Sequence, residues 1–258
     1  MTEPLRFAAP GGHQLAGVLH HPRTAAKPDR PAAGGVLLAH CFTCSKQVLT
    51  MTRLARGLAD HGYAALRFDF TGLGESGGEF GATNLASGVG DVIAASRALS
   101  AQVPGVQALV GHSLGGAAAL LAAPQLPEVA SVVTIGTPAS PAHLARVRPE
   151  LDDLPDGAHV EVVIAGRSFE VERRFLDDLE DHDQHGAVAG LGRPLLVLHA
   201  VDDEVVPIAE GERIFAAARQ PKAFHPLLGA DHLLRDRAGS DRALQLVVGW
   251  LDATLPSG

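Results

Sequence analysis

Ala108-Leu109-Val110-Gly111-His112-Ser113-Leu114-Gly115-Gly116-Ala117-Ala118-Ala119-Leu120-Leu121 is the stretch that decides how this chain reads. A short apolar run, Ala108 to Val110, reaches a glycine, then a serine, and continues into alanine- and leucine-rich sequence from Leu114 to Ala123. The first part reads as a buried strand and the second as a helix. The Gly-x-Ser-x-Gly between them is the pattern of a sharp strand-to-helix turn that lifts a serine hydroxyl above the sheet. Side chains at the flanking positions would collide with neighbouring backbone, so glycine is required there. The same pattern occurs at Gly74-Glu75-Ser76-Gly77-Gly78, but in a glycine-rich loop with no strand leading into it. Ser113 is therefore the candidate nucleophile, not merely a helix N-cap.

Outward from this turn, the chain alternates between the two periodicities. Apolar runs at Val36 to Ala39, Ala64 to Phe68, Val129 to Ile135, Leu195 to Leu198 and Ala223 to Leu228 read as strands. Lys46 to Asp60, Leu85 to Leu99, Ile208 to Arg219 and Arg242 to Ala253 read as amphipathic helices between or after them. Such alternation predicts an α/β fold, a mostly parallel twisted sheet with helices on both faces. Leu5 to Ala8 and Gln14 to His20, around Pro10-Gly11-Gly12, add an N-terminal hairpin. The alternation breaks between residues 137 and 193, within a single domain spanning 1–258. This lid-like insertion is expected to hold a hairpin, His159 to Ala165 with Ser168 to Glu172, and a short acidic helix from Arg173 to Asp183. The helix end at His182-Asp183-Gln184-His185 falls short of a metal site.

A neutral serine hydroxyl needs a base within hydrogen-bond reach and a carboxylate to orient that base. In parallel sheets ligands bind beyond the carboxyl ends of the strands, so the partners are sought there. After the strand Leu195 to Leu198 come Asp202, Asp203 and Glu204, and after the last strand come Asp231 and His232. Of thirteen histidines, His232 lies on the loop after that strand, whereas His225 sits within it. His232 is the expected base. Asp203, which opens Asp-x-x-Val-Pro, is favoured as the acid over Asp202, with Glu204 third. His40, Cys41 and His112 are candidate substrate-binding residues.

Composition narrows the partners. Of 258 residues 46% are hydrophobic and 19% charged, enough to bury a sizeable core and to exclude wholesale disorder. A formal charge of −8 argues against nucleic acid or an anionic membrane surface, and 4% aromatic residues leave few stacking platforms. A small-molecule substrate is expected. The opening MTEPLRFAAPGG lacks the apolar segment of a signal peptide, and no run approaches a membrane span. A cytoplasmic location is the expectation. Cys41 and Cys44 cannot build a disulfide framework; as Cys-x-x-Cys they suggest redox chemistry, half a zinc site without a second pair, or simple loop packing. No metal and no cofactor are expected.

The order strand, Ser113 turn, acid loop and histidine loop resembles the α/β-hydrolase superfamily over nearly the whole chain. Phe68-Asp69-Phe70-Thr71-Gly72-Leu73-Gly74-Glu75-Ser76 resembles that superfamily's Asp-x-x-Gly-x-Gly-x-Ser loop, giving Ser76 a structural role. Together with Ala39-His40-Cys41-Phe42-Thr43-Cys44-Ser45-Lys46, these motifs look like the hydrolase module often joined to an OsmC-like domain. The resemblance implies a functional link to an OsmC-like partner and an oxyanion hole formed by the backbone N–H groups of Phe42 and Leu114, with Cys41 where relatives carry glycine. It implies a serine hydrolase acting on a carboxylic ester or thioester of small to medium size. Two alternatives remain. One is a serine aminopeptidase-type enzyme with Glu170, Asp177 or Asp178 receiving the substrate amine. The other is a non-hydrolytic ligand-binding or thiol-redox module using Cys41 and Cys44.

Overall fold

The computed structural model describes residues 1–23, 34–41, 43–103, 105, 107–140, 159–164, 167–172, 175, 178–179 and 181–255; for 159–172 the backbone alone is described. Eight strands form one sheet. They are β1 (Thr2–Ala8), β2 (Gln14–His20), β3 (Gly35–Ala39), β4 (Ala64–Phe68), β5 (Gln107–His112), β6 (Val129–Ile135), β9 (Leu195–Ala200) and β10 (Lys222–Leu227), in the order β1-β2-β4-β3-β5-β6-β9-β10. From β4 through β10 every neighbouring pair is parallel, while β1 pairs antiparallel with β2 and β2 with β4. This is the mostly parallel sheet that the alternation predicts, in the α/β-hydrolase arrangement that the resemblance implies.

The period-2 geometry of a strand sends successive side chains to opposite faces, and here both faces are covered. Leu37, Ala39 and Leu109 join one apolar core beneath α2 (Leu85–Gln102), α3 (Leu114–Ala122) and α5 (Ile208–Ala217). Val36, Leu38, Ala108 and Val110 join the other beneath α1 (Leu49–Asp60) and α6 (Arg237–Thr254). β5, in the middle, is buried at every residue. Its Ser113 end is thereby fixed by packing on both sides.

The expected hairpin in the insertion is present as β7 (His159–Ile164) and β8 (Arg167–Glu172), paired antiparallel as a separate two-stranded sheet. Beyond it the sequence reading needs correction. Phe175, Asp178 and Leu179 are helical, but Asp183 does not continue that helix: its side chain accepts from Gly186 N–H and caps a further short helix, α4 (Gln184–Ala189). The last helix starts at Arg237 rather than Arg242, because the Asp236 side chain caps it by accepting from Gly239 N–H. Among the described residues no helix is long and apolar enough to cross a membrane.

Candidate active site

Ser113 sits where β5 hands over to α3, with φ 54° and ψ −126°. Backbone in that region is strained for an L-residue. It is held by Ser113 N–H donating to Ile135 O at 2.8 Å and by Gly116 N–H donating to Ser113 O at 2.9 Å. The three glycines around it have steric reasons. A Cβ on Gly111 would lie 2.4 Å from Gly116 Cα, one on Gly115 2.2 Å from His40 O, and one on Gly116 1.9 Å from Thr137 Oγ1. Because the atom facing Gly115 is backbone, Gly115→Ala must shift the end of β3 or the start of α3. The expected loss is about 1–3 kcal/mol of stability, read from the urea midpoint.

Asp203 and His232, expected from the sequence as acid and base, meet beyond the ends of β9 and β10, with the His232 ring 4.9 Å from that of His112, the residue before Ser113. His232 Nδ1–H donates to Asp203 Oδ2 at 2.7 Å, with both side chains buried. Asp203 Oδ1 accepts from Val205 N–H at 2.9 Å and Val206 N–H at 2.8 Å. Burial pushes the Asp203 carboxyl up. The hydrogen bond and charge of His232 and the two backbone donors outweigh it, leaving Asp203 below its ordinary value. Asp202 and Glu204 are exposed. Gly136, at φ 55°, passes close to the pair: a Cβ there would come within 3.3 Å of both Asp203 Oδ2 and His232 Nδ1.

Two histidines that the sequence did not mark as supports hold this arrangement from behind. His112 Nε2–H donates to the His232 carbonyl at 2.7 Å, and the two rings lie 4.9 Å apart. His112 is fully buried, and its hydrogen bond goes to the histidine loop rather than towards a substrate, the role expected of it from the sequence. His199 Nε2–H donates to Val206 O at 2.8 Å and lies 3.6 Å from Asp203 Oδ2, packing the acid loop. The sequence signal for His112 was its place one residue before the serine; for His199 it was a polar residue inside an apolar strand.

His40, at the end of β3, is also fully buried; Nδ1–H donates to Cys41 O at 2.7 Å and Nε2 accepts from Phe70 N–H at 3.4 Å. Leu114 begins α3 directly after Ser113. Phe42, the other expected oxyanion donor, lies outside the described residues. Cys41 and Cys44, left as loop packing or redox candidates by their spacing, are joined in a disulfide. A tight turn makes this possible: Thr43 has φ 63° and Cys44 N–H donates to Cys41 O at 3.1 Å, bringing the Cα atoms to 5.5 Å. The second Gly-x-Ser-x-Gly serves the scaffold. Ser76 Oγ–H donates to Asp69 O at 2.6 Å and its oxygen accepts from Ala16 N–H at 2.9 Å.

Burial pushes His40 down to about 4 and His112 to about 3, so both are neutral at pH 7. Between the ordinary histidine value near 6.5 and these lowered values the unfolded chain binds more protons than the native one. Stability therefore falls as the pH falls through that window. Each histidine is expected to cost about 2 kcal/mol between pH 7 and pH 5, measured by denaturant unfolding at both pH values.

A cleft with about 430 Å³ of open space lies beside the turn, reached by His40, Leu114 and Gly115 and walled by α2, the loop after β4 and Phe175. Among the described residues no cluster of three or more histidine, cysteine or acidic side chains could hold a metal ion.

Fold and strand-to-helix serine turn define an α/β hydrolase. More narrowly, the chain belongs to the family described as serine aminopeptidase, S33, whose model matches residues 31–170. The esterase domain of a Rhodothermus marinus protein is 38% identical over 99% of this chain and 100% of that one, with a TM-score of 0.78. The human mitochondrial palmitoyl-protein thioesterase ABHD10 is 28% identical over 158 residues, 57% of this chain and 49% of that protein. The chain thus spans about half the length of the curated relative it matches. Est1E of Butyrivibrio proteoclasticus, solved with ferulic acid, shares the fold at 20% identity, with 96% of each chain covered and a TM-score of 0.78. The proteins it is similar to thus include an esterase domain and a thioesterase.

Proposed function

We propose that this protein is a serine hydrolase that cleaves carboxylic esters or thioesters of small to medium acyl groups through Ser113, His232 and Asp203. The observation that carries the reading is the 2.7 Å bond from His232 Nδ1–H to buried Asp203, on the strand ends beside Ser113. That bond leaves Nε2 of the neutral imidazole as the acceptor. Ser113 Oγ attacks the acyl carbonyl carbon and His232 Nε2 takes its proton; the imidazolium is stabilised by Asp203 and passes the proton to the departing alkoxide or thiolate. Water then gives a proton to His232 and attacks the acyl carbon; the bond from that carbon to Ser113 Oγ breaks, His232 returns the proton to Oγ, and the acid leaves. The oxyanion of each tetrahedral stage is assigned to the backbone N–H groups of Leu114 and Phe42.

The 38% identical esterase domain supports ester chemistry, and the ABHD10 match extends it to thioesters. The aminopeptidase alternative needs an acid free to receive an amine. Of its candidates Asp178 is already engaged, its Oδ2 accepting from Leu85 N–H at 2.7 Å and Ala86 N–H at 3.2 Å at the start of α2; Asp177 and the Glu170 side chain lie outside the described residues. The test is a panel of p-nitrophenyl esters from acetate to dodecanoate, thioesters with the same acyl groups, and leucine p-nitroanilide. Turnover of esters or thioesters that depends on Ser113 is expected; turnover of the anilide alone would overturn the reading in favour of peptidase chemistry.

A further inference from the structure

We propose that the cleft beside Ser113 receives the acyl part of the substrate, and that this acyl group is apolar and carries no ammonium group. The inference rests on the serine-hydrolase reading above and adds the substrate class to it.

Position identifies the acyl side. The cleft is lined by Leu114 and Gly115, the two residues after Ser113, and by His40, but by no residue of the 200–207 or 228–234 loops that carry Asp203 and His232. The leaving group takes its proton from His232, so it departs on the histidine side. What remains attached to the carbonyl extends the other way, into this cleft.

Chemistry identifies the occupant. Phe70, Phe80, Leu85, Leu114, Ala118 and Phe175 present apolar surface. The polar side chains in the wall already have protein partners. Thr71 Oγ1 is bonded to His13 Nε2 at 2.8 Å, Thr83 Oγ1–H donates to Phe80 O at 2.7 Å, and Asn84 and Ser87 bond each other in the cap of α2. Among the described residues Asp91 is the one carboxylate in the lining; it is 2% exposed and accepts from Thr71 N–H at 2.8 Å. Burial pushes its carboxyl up, towards the uncharged form. An ammonium group on the acyl part, as in an aminoacyl substrate, would lose its hydration here without a free anion among the described residues to replace it. The family's aminopeptidase description therefore does not extend to the acyl specificity of this chain.

A matched pair of esters with one leaving group tests this: 4-methylpentanoate and L-leucine, which differ only in the α-ammonium. After correction for spontaneous hydrolysis, kcat/KM for the 4-methylpentanoate is expected to exceed that for leucine by roughly 100-fold. Equal or faster turnover of the leucine ester would overturn the proposal. The place of the acyl group is tested by the octanoate-to-acetate ratio of kcat/KM. Ala118→Leu fills the cleft and should lower that ratio about tenfold; Phe175→Ala opens the facing wall and should raise it, and it serves if the first variant does not fold. Unchanged ratios in a folded variant would remove the acyl group from this cleft while leaving Ser113-dependent hydrolysis intact. Ester hydrolysis that survives in Ser113→Ala would instead sink the underlying reading and the proposal with it.

Discussion

Ser113→Ala is expected to lower kcat for a p-nitrophenyl ester by about 10⁵- to 10⁶-fold, with the fold retained. The size of the effect follows from the mechanism, because without Oγ no acyl-enzyme forms and His232 and Asp203 have no nucleophile to activate. The residual rate should come from whatever oxyanion stabilisation and binding remain. Retention of the fold follows from the geometry. What holds the turn is the backbone of residue 113, through bonds to Ile135 O and from Gly116 N–H, and the tight glycines around it. None of these uses the hydroxyl. Alanine at φ 54° bears the same strain that serine does, so the denaturant midpoint should scarcely move while activity disappears. A variant that lost activity together with its cooperative unfolding transition would leave the assignment to His232 and Asp203 variants.

Asp203→Asn is the second large effect, expected at about 10⁴-fold in kcat. An amide in place of the carboxylate can present its NH2 group to Nδ1, which favours the tautomer with the proton on Nε2 and removes the base that Ser113 needs. It also removes the charge that stabilises the imidazolium. Asp202→Asn, on the exposed neighbour, should change kcat by less than about threefold. The pair of variants separates two acids one residue apart. The larger loss at Asp202 would reverse the assignment.

Much of this arrangement was legible because its causes are local. Gly111, Gly115 and Gly116 are required by contacts within the turn or with the adjoining end of β3 and the loop after β6, and the switch from strand to helix on either side of Ser113 is visible as a change of hydrophobic period. His232 could be placed because β10 ends just before it. What escaped depends on contacts between distant segments. His112 looks like any residue beside a nucleophile until β5 and the histidine loop are brought together, and then its ring is found holding the His232 carbonyl. The bridge between Cys41 and Cys44 depends on the left-handed backbone of Thr43, which a threonine does not advertise. The helix after Asp183 was read as the end of an acidic helix because aspartate suits both a solvated face and an N-cap. The acyl cleft draws Phe70, Phe80, Ala118 and Phe175 from across about a hundred residues, with no pattern in the chain that joins them.

All of the proposed chemistry depends on an activated hydroxyl at Ser113. It is tested most directly by treating the folded protein with a fluorophosphonate and mapping the adduct by peptide mass spectrometry. Wild type is expected to carry one phosphonyl group, on Ser113, which is abolished in Ser113→Ala and forms far more slowly in Asp203→Asn. Folded wild-type protein that forms no adduct, or that carries it on Ser76 or another serine, would contradict it.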